Sequence, residues 1–298
     1  MVGFKGTLQF QGIYCGNNFP LSSVCLCSSG VITYSVAGAV TRQEFWSLYV
    51  TIMNKGKYYI GTSGWKYKHW KGTFYTEGLK DKDEYNYYAQ QFNTVEINSS
   101  FYHLPAAATF ENWNLKSPAS FTYAVKVGRY ITHLKKLKIE SNSIDLFLTR
   151  VAHLENKEGP LLFQLPPSWR LNIERFRCFL AALPKRRRYV FEFREPSWYN
   201  NEVYEEMTRY NCAFCIYELA GHQSPLVTTA DFIYVRLHGP GANKYQGSYS
   251  KKQLNAWAKR CRKWSEEGKD VYMYFDNDEE GYAAYNALEL NNILSLNR

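Results

Sequence analysis

Histidine is scarce in this chain, six in 298 residues, and no apolar run is long and unbroken enough to span a bilayer. The second shortage argues against a membrane-spanning helix. The first bears on chemistry: a nuclease centre holding several metal ions needs many His, Asp and Glu ligands together, and this chain offers too few to hold more than one divalent ion. Its seven cysteines show no zinc-finger spacing. Cys212 and Cys215 lie on the apolar run Ala213 Phe214 Cys215 Ile216 Tyr217 and read as buried free thiols, which suits a reducing, cytoplasmic setting. A glycine-rich phosphate turn is missing as well. The turn after the first strand-like run, Gly61 Thr62 Ser63 Gly64 Trp65, lacks the dinucleotide spacing, so no nucleotide cofactor is expected.

Charge is absent from Gly6 to Thr41, yet Ser, Gly, Asn and Thr dilute every apolar stretch there, so the segment is a poor membrane span and a weak secretion signal. A disordered extension or a misplaced start accounts for residues 1–56 more simply, because Met53 would be an ordinary beginning for the strand that follows. Elsewhere charge is plentiful. Lys and Arg number 36 against 27 for Asp and Glu, a net charge of +9, which favours an anionic substrate or nucleic acid as partner; no protein partner is predicted.

With 45% apolar residues the chain can bury one large core. From residue 57 onward, short apolar runs alternate with segments of helical period, the rhythm of repeated βα units. Strands are predicted over 58–62, 94–98, 121–127, 161–165, 189–194, 213–218, 232–238 and 271–276, and helices over 83–92, 142–154, 173–183, 202–210, 250–267 and 280–294. The stretch 105–118 is expected to hold only a short helix, and 220–230, with Pro225 and two threonines, a short one or none. Eight strands with right-handed crossovers predict an α/β fold, a single-domain TIM-type (β/α)8 barrel over 57–298.

Polar residues recur at the ends of these strands. Glu96 and Asn98, Glu192 and Arg194, and Arg236 and His238 are each two apart, so each pair shares one face of its strand. Lys126, Gln164, Asp276 and Asn277 join them from other strands, all at the carboxyl end where barrels of this kind carry their sites. Glu96, Glu192, His238, His133 and Asp276 are the catalytic candidates. Trp65, Asn98, Tyr102, Lys126, Gln164, Arg194, Trp198, Arg236, Tyr249 and Asn277 are the substrate-binding candidates. A structural network of buried ion pairs is the competing account of the same charges.

The motifs themselves resemble those of the YecE-like family, domain of unknown function 72. They are Ile60 to Trp65, Phe92 to Asn98 with Phe101 and Tyr102, Ile131 Thr132 His133, Phe163 to Pro167, Glu192 Phe193 Arg194 with Pro196 to Trp198, Val235 to Gly239, and Tyr274 Phe275 through Gly281. The likeness runs from about Tyr58 to the end. It implies a TIM barrel without a settled activity, and Phe275 Asp276 Asn277 Asp278 stands where the family usually has Phe Asn Asn Asp. The family's architectural likeness to the endonuclease-four and xylose-isomerase barrels suggests phosphodiester hydrolysis. A sugar or sugar-phosphate enzyme using Glu96 and Glu192 for proton transfer, and a non-catalytic nucleic-acid-binding module, are the alternatives. Lysines interleaved with aromatics from Trp65 to Lys71 support nucleic acid, and Lys185 to Arg188 are expected at the opposite end of the barrel.

Overall fold

Parallel β-strands that alternate with helices close on themselves only if the first and last strands meet, and here they do. The computed structural model describes residues 55–138 and 142–296, together with two strands nearer the amino terminus. Those two, Pro20–Leu26 and Ile32–Ala39, pair antiparallel within a separate unit, 1–55. The expected start at Met53, and Cys15 and Cys27, lie outside the described residues.

The second unit, 56–298, holds the parallel strands β1 (Tyr58–Thr62), β2 (Thr94–Ile97), β3 (Thr122–Lys126), β4 (Glu158–Gln164), β5 (Tyr189–Glu192), β6 (Ala213–Leu219), β7 (Phe232–Leu237) and β8 (Asp270–Phe275). Each of β2 to β8 is hydrogen-bonded to the next, and β8 pairs with β1. Helices α1 (Glu84–Gln91), α2 (Ala107–Lys116), α3 (Ser143–Val151), α4 (Ile173–Ala182), α5 (Asn201–Arg209), α6 (Lys251–Glu266) and α7 (Tyr282–Ser295) occupy the crossovers. Local chemistry sets their ends. The side chains of Asn172, Asn200 and Ser250 cap α4, α5 and α6, with Gln253 completing a capping box on α6. Along α6, Leu254, Trp257, Ala258, Cys261 and Trp264 recur at helical spacing and are buried.

Two crossovers differ from the rest. Residues 105–118 carry a ten-residue helix, α2, longer than the sequence predicts. Pro105 precedes the cap residue Ala106, where its missing N–H costs nothing, and Ala107, Ala108, Glu111 and Leu115 favour helix. Residues 220–230 form no helix. His222–Gln223 turns back on β6, and the Ser224 and Thr229 hydroxyls accept the N–H groups of Tyr217 (2.8 Å) and Phe214 (2.9 Å).

The seam between β1 and β2 has no ladder. Gly61 lets the strands approach, since a Cβ there would lie 2.4 Å from the carbonyl oxygen of Thr94. The buried Tyr88 hydroxyl bridges the gap, accepting the Thr62 N–H at 3.0 Å and donating to the Thr94 carbonyl at 3.1 Å. Tyr88→Phe leaves both groups without a partner, so it is expected to cost about 1–3 kcal/mol, read as a lower midpoint in urea with unchanged slope.

Candidate functional site

Inside a barrel, alternate residues of each strand point to the axis and stack in layers. The lower interior is apolar or aromatic: Ala124, Leu162, Val190, Cys215, Tyr234, Tyr272 and Tyr274 form a buried cluster separate from the one beneath the helices. Two residues further along the same strands the layer becomes charged. Glu96 follows Thr94, Lys126 follows Ala124, Gln164 follows Leu162, Glu192 follows Val190, Arg236 follows Tyr234, and Asp276 follows Tyr274.

Arg236, with 1% of its side chain exposed, is the hub of this layer. Its Nε and one Nη grip Glu96 at 2.8–3.1 Å, and the other Nη donates to Glu192 at 2.9 Å. Glu96 also accepts from the Ser63 hydroxyl (2.7 Å), the Tyr234 hydroxyl (2.6 Å) and the Asn98 amide (3.0 Å). Glu192 accepts from Arg194 Nε as well, and the Arg194 guanidinium lies 4.4 Å over the Tyr217 ring. His238 completes the arc. Its Nδ1 is 2.8 Å from Asp276, and its Nε2 is 3.0 Å from an Nη of Arg194 and 3.4 Å from one of Arg236. An arginine can only donate, so Nε2 carries the lone pair and Nδ1–H faces the carboxylate.

These contacts set the charges. Burial alone would raise the Glu192 carboxyl, but Arg194 and Arg236, helped by His238 and Lys126, outweigh it and hold it well below the usual range. Burial and Arg236 lower His238 against the pull of Asp276, so the ring is neutral. Asp276 is itself held low: burial would raise it, and the His238 hydrogen bond and Arg236 overcome that. Lys126 differs from every other cation in the layer. Among the described residues no carboxylate lies within ion-pair distance; its Nζ sits 4.4 Å above the Phe101 ring, and burial, seconded by Arg236, lowers it to about 8.

Several sequence candidates lie elsewhere. Trp198 is fully buried, stacked on Phe193 at 4.7 Å and donating to the Trp169 carbonyl at 2.8 Å, so it has no free face for a sugar. Tyr249 is buried too, its hydroxyl accepting the Gly239 N–H at 3.2 Å, which braces the loop after β7. Asn277 donates to Gly247 (2.8 Å) and Asn286 (2.9 Å) behind the layer. Tyr102 stands 83% exposed against the edge of Phe101. Half-buried Trp65 packs edge-on to Tyr85 and Trp113. His133 lies on a π-helical turn, Tyr130–Leu134, against Phe101; burial and the charges of Lys126 and Arg129 lower it to about 4. Gln164 is half-buried beside Glu192 in the register of β4 and β5.

In the loop after β1 the aromatic Trp70 packs inward while Lys66, Lys68 and Lys71 stay exposed. Trp70 is fully buried with its indole N–H on Asp278 at 2.6 Å, while Lys66 and Lys71 both pair with Asp81. Arg187 and Arg188 pair with Glu158 and Asp270, the first residues of β4 and β8, at the opposite end as expected.

Sequence reading missed Ser63, Cys215, Tyr217 and Tyr234. Tyr234 and Tyr217 carried a usable signal, standing two residues from Arg236 and Cys215 on inward faces. The non-glycine Tyr245, at φ 65°, donates its N–H to the His238 carbonyl at 2.7 Å and sets its ring 5.5 Å from the imidazole. Nothing in its sequence position pointed to that.

A divalent ion suits this layer poorly. Among the described residues no three His, Cys, Asp or Glu side chains are placed to hold one, and the carboxylates that would do so are already claimed by guanidiniums.

Fold and layer together define a TIM-type barrel with a charged, hydrogen-bonded carboxyl-end mouth. Residues 59–298 match the family described as protein of unknown function DUF72, and the chain belongs to that family. It is 27% identical over 275 residues to the UPF0759 protein YunF of Bacillus subtilis (strain 168), spanning 80% of this chain and 95% of the relative. It is 28% identical over 142 residues to the UPF0759 protein YecE of Escherichia coli (strain K12), spanning 47% and 50% of the two chains. Among solved structures, a DUF72 family protein from Thermotoga maritima MSB8 superposes with a TM-score of 0.73 at 28% identity, over 80% of this chain and 99% of that one. A second, from Enterococcus faecalis V583, superposes with a TM-score of 0.66 at 20% identity, over 80% and 95%, a likeness of fold.

Proposed function

We propose that the barrel mouth is the site of an enzyme acting on a small phosphate-bearing, sugar-like substrate. One observation carries this reading: after Arg236 is spent on Glu96 and Glu192, Lys126 and one Nη of Arg194 remain at the mouth without a hydrogen-bonding partner among the described residues, near a neutral His238 braced by Asp276. Two cations with spare donors suit an anionic group. A neutral imidazole is the natural base or acid near pH 7. We assign proton transfer to His238 with Asp276 orienting it, which requires the substrate anion to draw the Arg194 Nη off Nε2, whereas Glu96 and Glu192 serve to fix Arg236. The three buried free thiols, Cys212, Cys215 and Cys261, support a reducing, cytoplasmic setting. No helix among the described residues is long and apolar enough to cross a membrane.

Thermal melting with a panel of sugar phosphates tests the reading. At about a hundred times the dissociation constant a true ligand adds about 2.7 kcal/mol, and Arg194→Ala is expected to abolish that shift. A panel without any shift, or a shift untouched by Arg194→Ala, rejects it. Nucleic-acid binding is the second reading, supported by the exposed Lys68, Arg129 and Lys138. It requires affinity for oligonucleotides that falls steeply with salt and depends on those three residues.

A further inference from the structure

We propose that Lys126 is a carbonyl-condensing amine, whose Nζ forms an imine with an aldehyde or ketone group of the substrate held in the mouth. The inference rests on reading the mouth as a sugar-phosphate site, and it names the functional group of that substrate.

Three features single out this lysine. Its side chain is in the charged layer at the last residue of β3, half-buried, so a substrate seated among the strand ends reaches it. Every carboxylate of the layer is committed to another partner: Glu96 and Glu192 to Arg236, and Asp276 to His238. What lies under Nζ is the Phe101 ring, which accommodates either the ammonium or the free amine and takes no proton.

The charges facing it come from every side of the barrel: Arg236 from β7 opposes the ammonium, and Glu192, Glu96 and Asp276 from β5, β2 and β8 favour it. Burial is the larger effect, and the amine titrates near 8 where an ordinary lysine titrates at 10.5. At neutral pH that raises the free-amine fraction by roughly two orders of magnitude over a surface lysine.

The step is balanced without a redox partner. The Nζ lone pair forms the C–N bond as the carbonyl π pair moves to oxygen. Two protons leave nitrogen with that oxygen as water, and one further proton gives the iminium. The iminium then draws electrons from the neighbouring carbon, where a proton or a carbon–carbon bond is removed more easily.

Borohydride trapping tests this. The full-length protein is incubated separately with dihydroxyacetone phosphate, ribose 5-phosphate and pyruvate, reduced with sodium borohydride, digested, and mapped by mass spectrometry. At least one carbonyl compound is expected to leave a reduced adduct on the peptide bearing Lys126, in about tenfold or greater excess over any other lysine. Lys126→Arg, which keeps the charge and should melt cooperatively, is expected to leave none. Absence of an adduct at Lys126 with all three compounds, or labelling spread evenly over surface lysines, overturns the inference. The melting panel reports separately: sugar phosphates that stabilise the protein without labelling Lys126 leave the anion site standing and remove the imine. Labelling by pyruvate alone, with no phosphate-dependent shift, keeps the imine and removes the phosphate.

Discussion

Arg236→Met is expected to destabilise the barrel by about 3–5 kcal/mol, because it leaves the fully buried Glu96 without a counter-charge and Glu192 with Arg194 alone. For a domain of this size that is a fall in melting temperature of roughly 10 °C or more. The loss comes from stranding a buried carboxylate rather than from the worth of the ion pairs, and a companion variant separates the two. Removing the stranded charge as well, as Glu96→Gln and Arg236→Met in one protein, is expected to recover most of the stability, since a neutral amide needs less solvation than a carboxylate and Glu192 keeps Arg194. A single variant that melts like the unmodified protein would show that water reaches the layer and that the network is not buried as drawn.

Stability is also expected to fall as the solution is acidified below about pH 6.5, with His238 responsible for a defined part of the slope. The sign follows from linkage. The folded value of His238 lies below its ordinary 6.5, so the unfolded chain binds the proton first and acid favours unfolding. Between pH 6 and 5 one such group contributes at most about 1.4 kcal/mol per pH unit, the limit set by one proton. His133, lowered to about 4, acts in the same direction, and Asp278, raised to about 6 chiefly by burial, acts against it. The difference between two proteins isolates this contribution: His238→Asn, whose amide can still donate to Asp276, should show a shallower slope in that window, by at most about 1.4 kcal/mol per unit. Below about pH 4.5 Glu192 and Asp276, both held low when folded, add to the acid loss in either protein, as their stabilising ionisation is removed. Urea melts at three pH values give the comparison, and equal slopes would mean that His238 is charged in the folded protein.

Most of the barrel was legible in the sequence because it follows from local periodicity. Each predicted strand matches an observed one to within a few residues, and the six longer helices appear where apolar residues recur at helical spacing. The exceptions are instructive. Ala107–Lys116 looked short because of its bounding prolines, yet Pro105 and Pro118 both lie outside the helix and break no hydrogen bond within it. The open seam between β1 and β2, bridged by Tyr88, has no local signature, since a tyrosine on α1 becomes a hydrogen-bonding bridge only when Gly61 brings two strand backbones together.

The sequence alone determined that acidic, basic and imidazole side chains stand two apart at strand ends and so share one face of a parallel sheet, because side-chain alternation is a property of the strand itself. Only the tertiary structure decided how those charges are spent. Arg236 meets Glu96 across 140 residues and Glu192 across 44, and this capture turns two apparent acid–base residues into supports for a guanidinium. The same folding buried Trp198, which the sequence alone offers to a substrate. It left Lys126 over Phe101 with no counter-ion among the described residues. Partner choice across a barrel depends on the stagger of strands far apart in the chain, and a period of two carries no information about stagger.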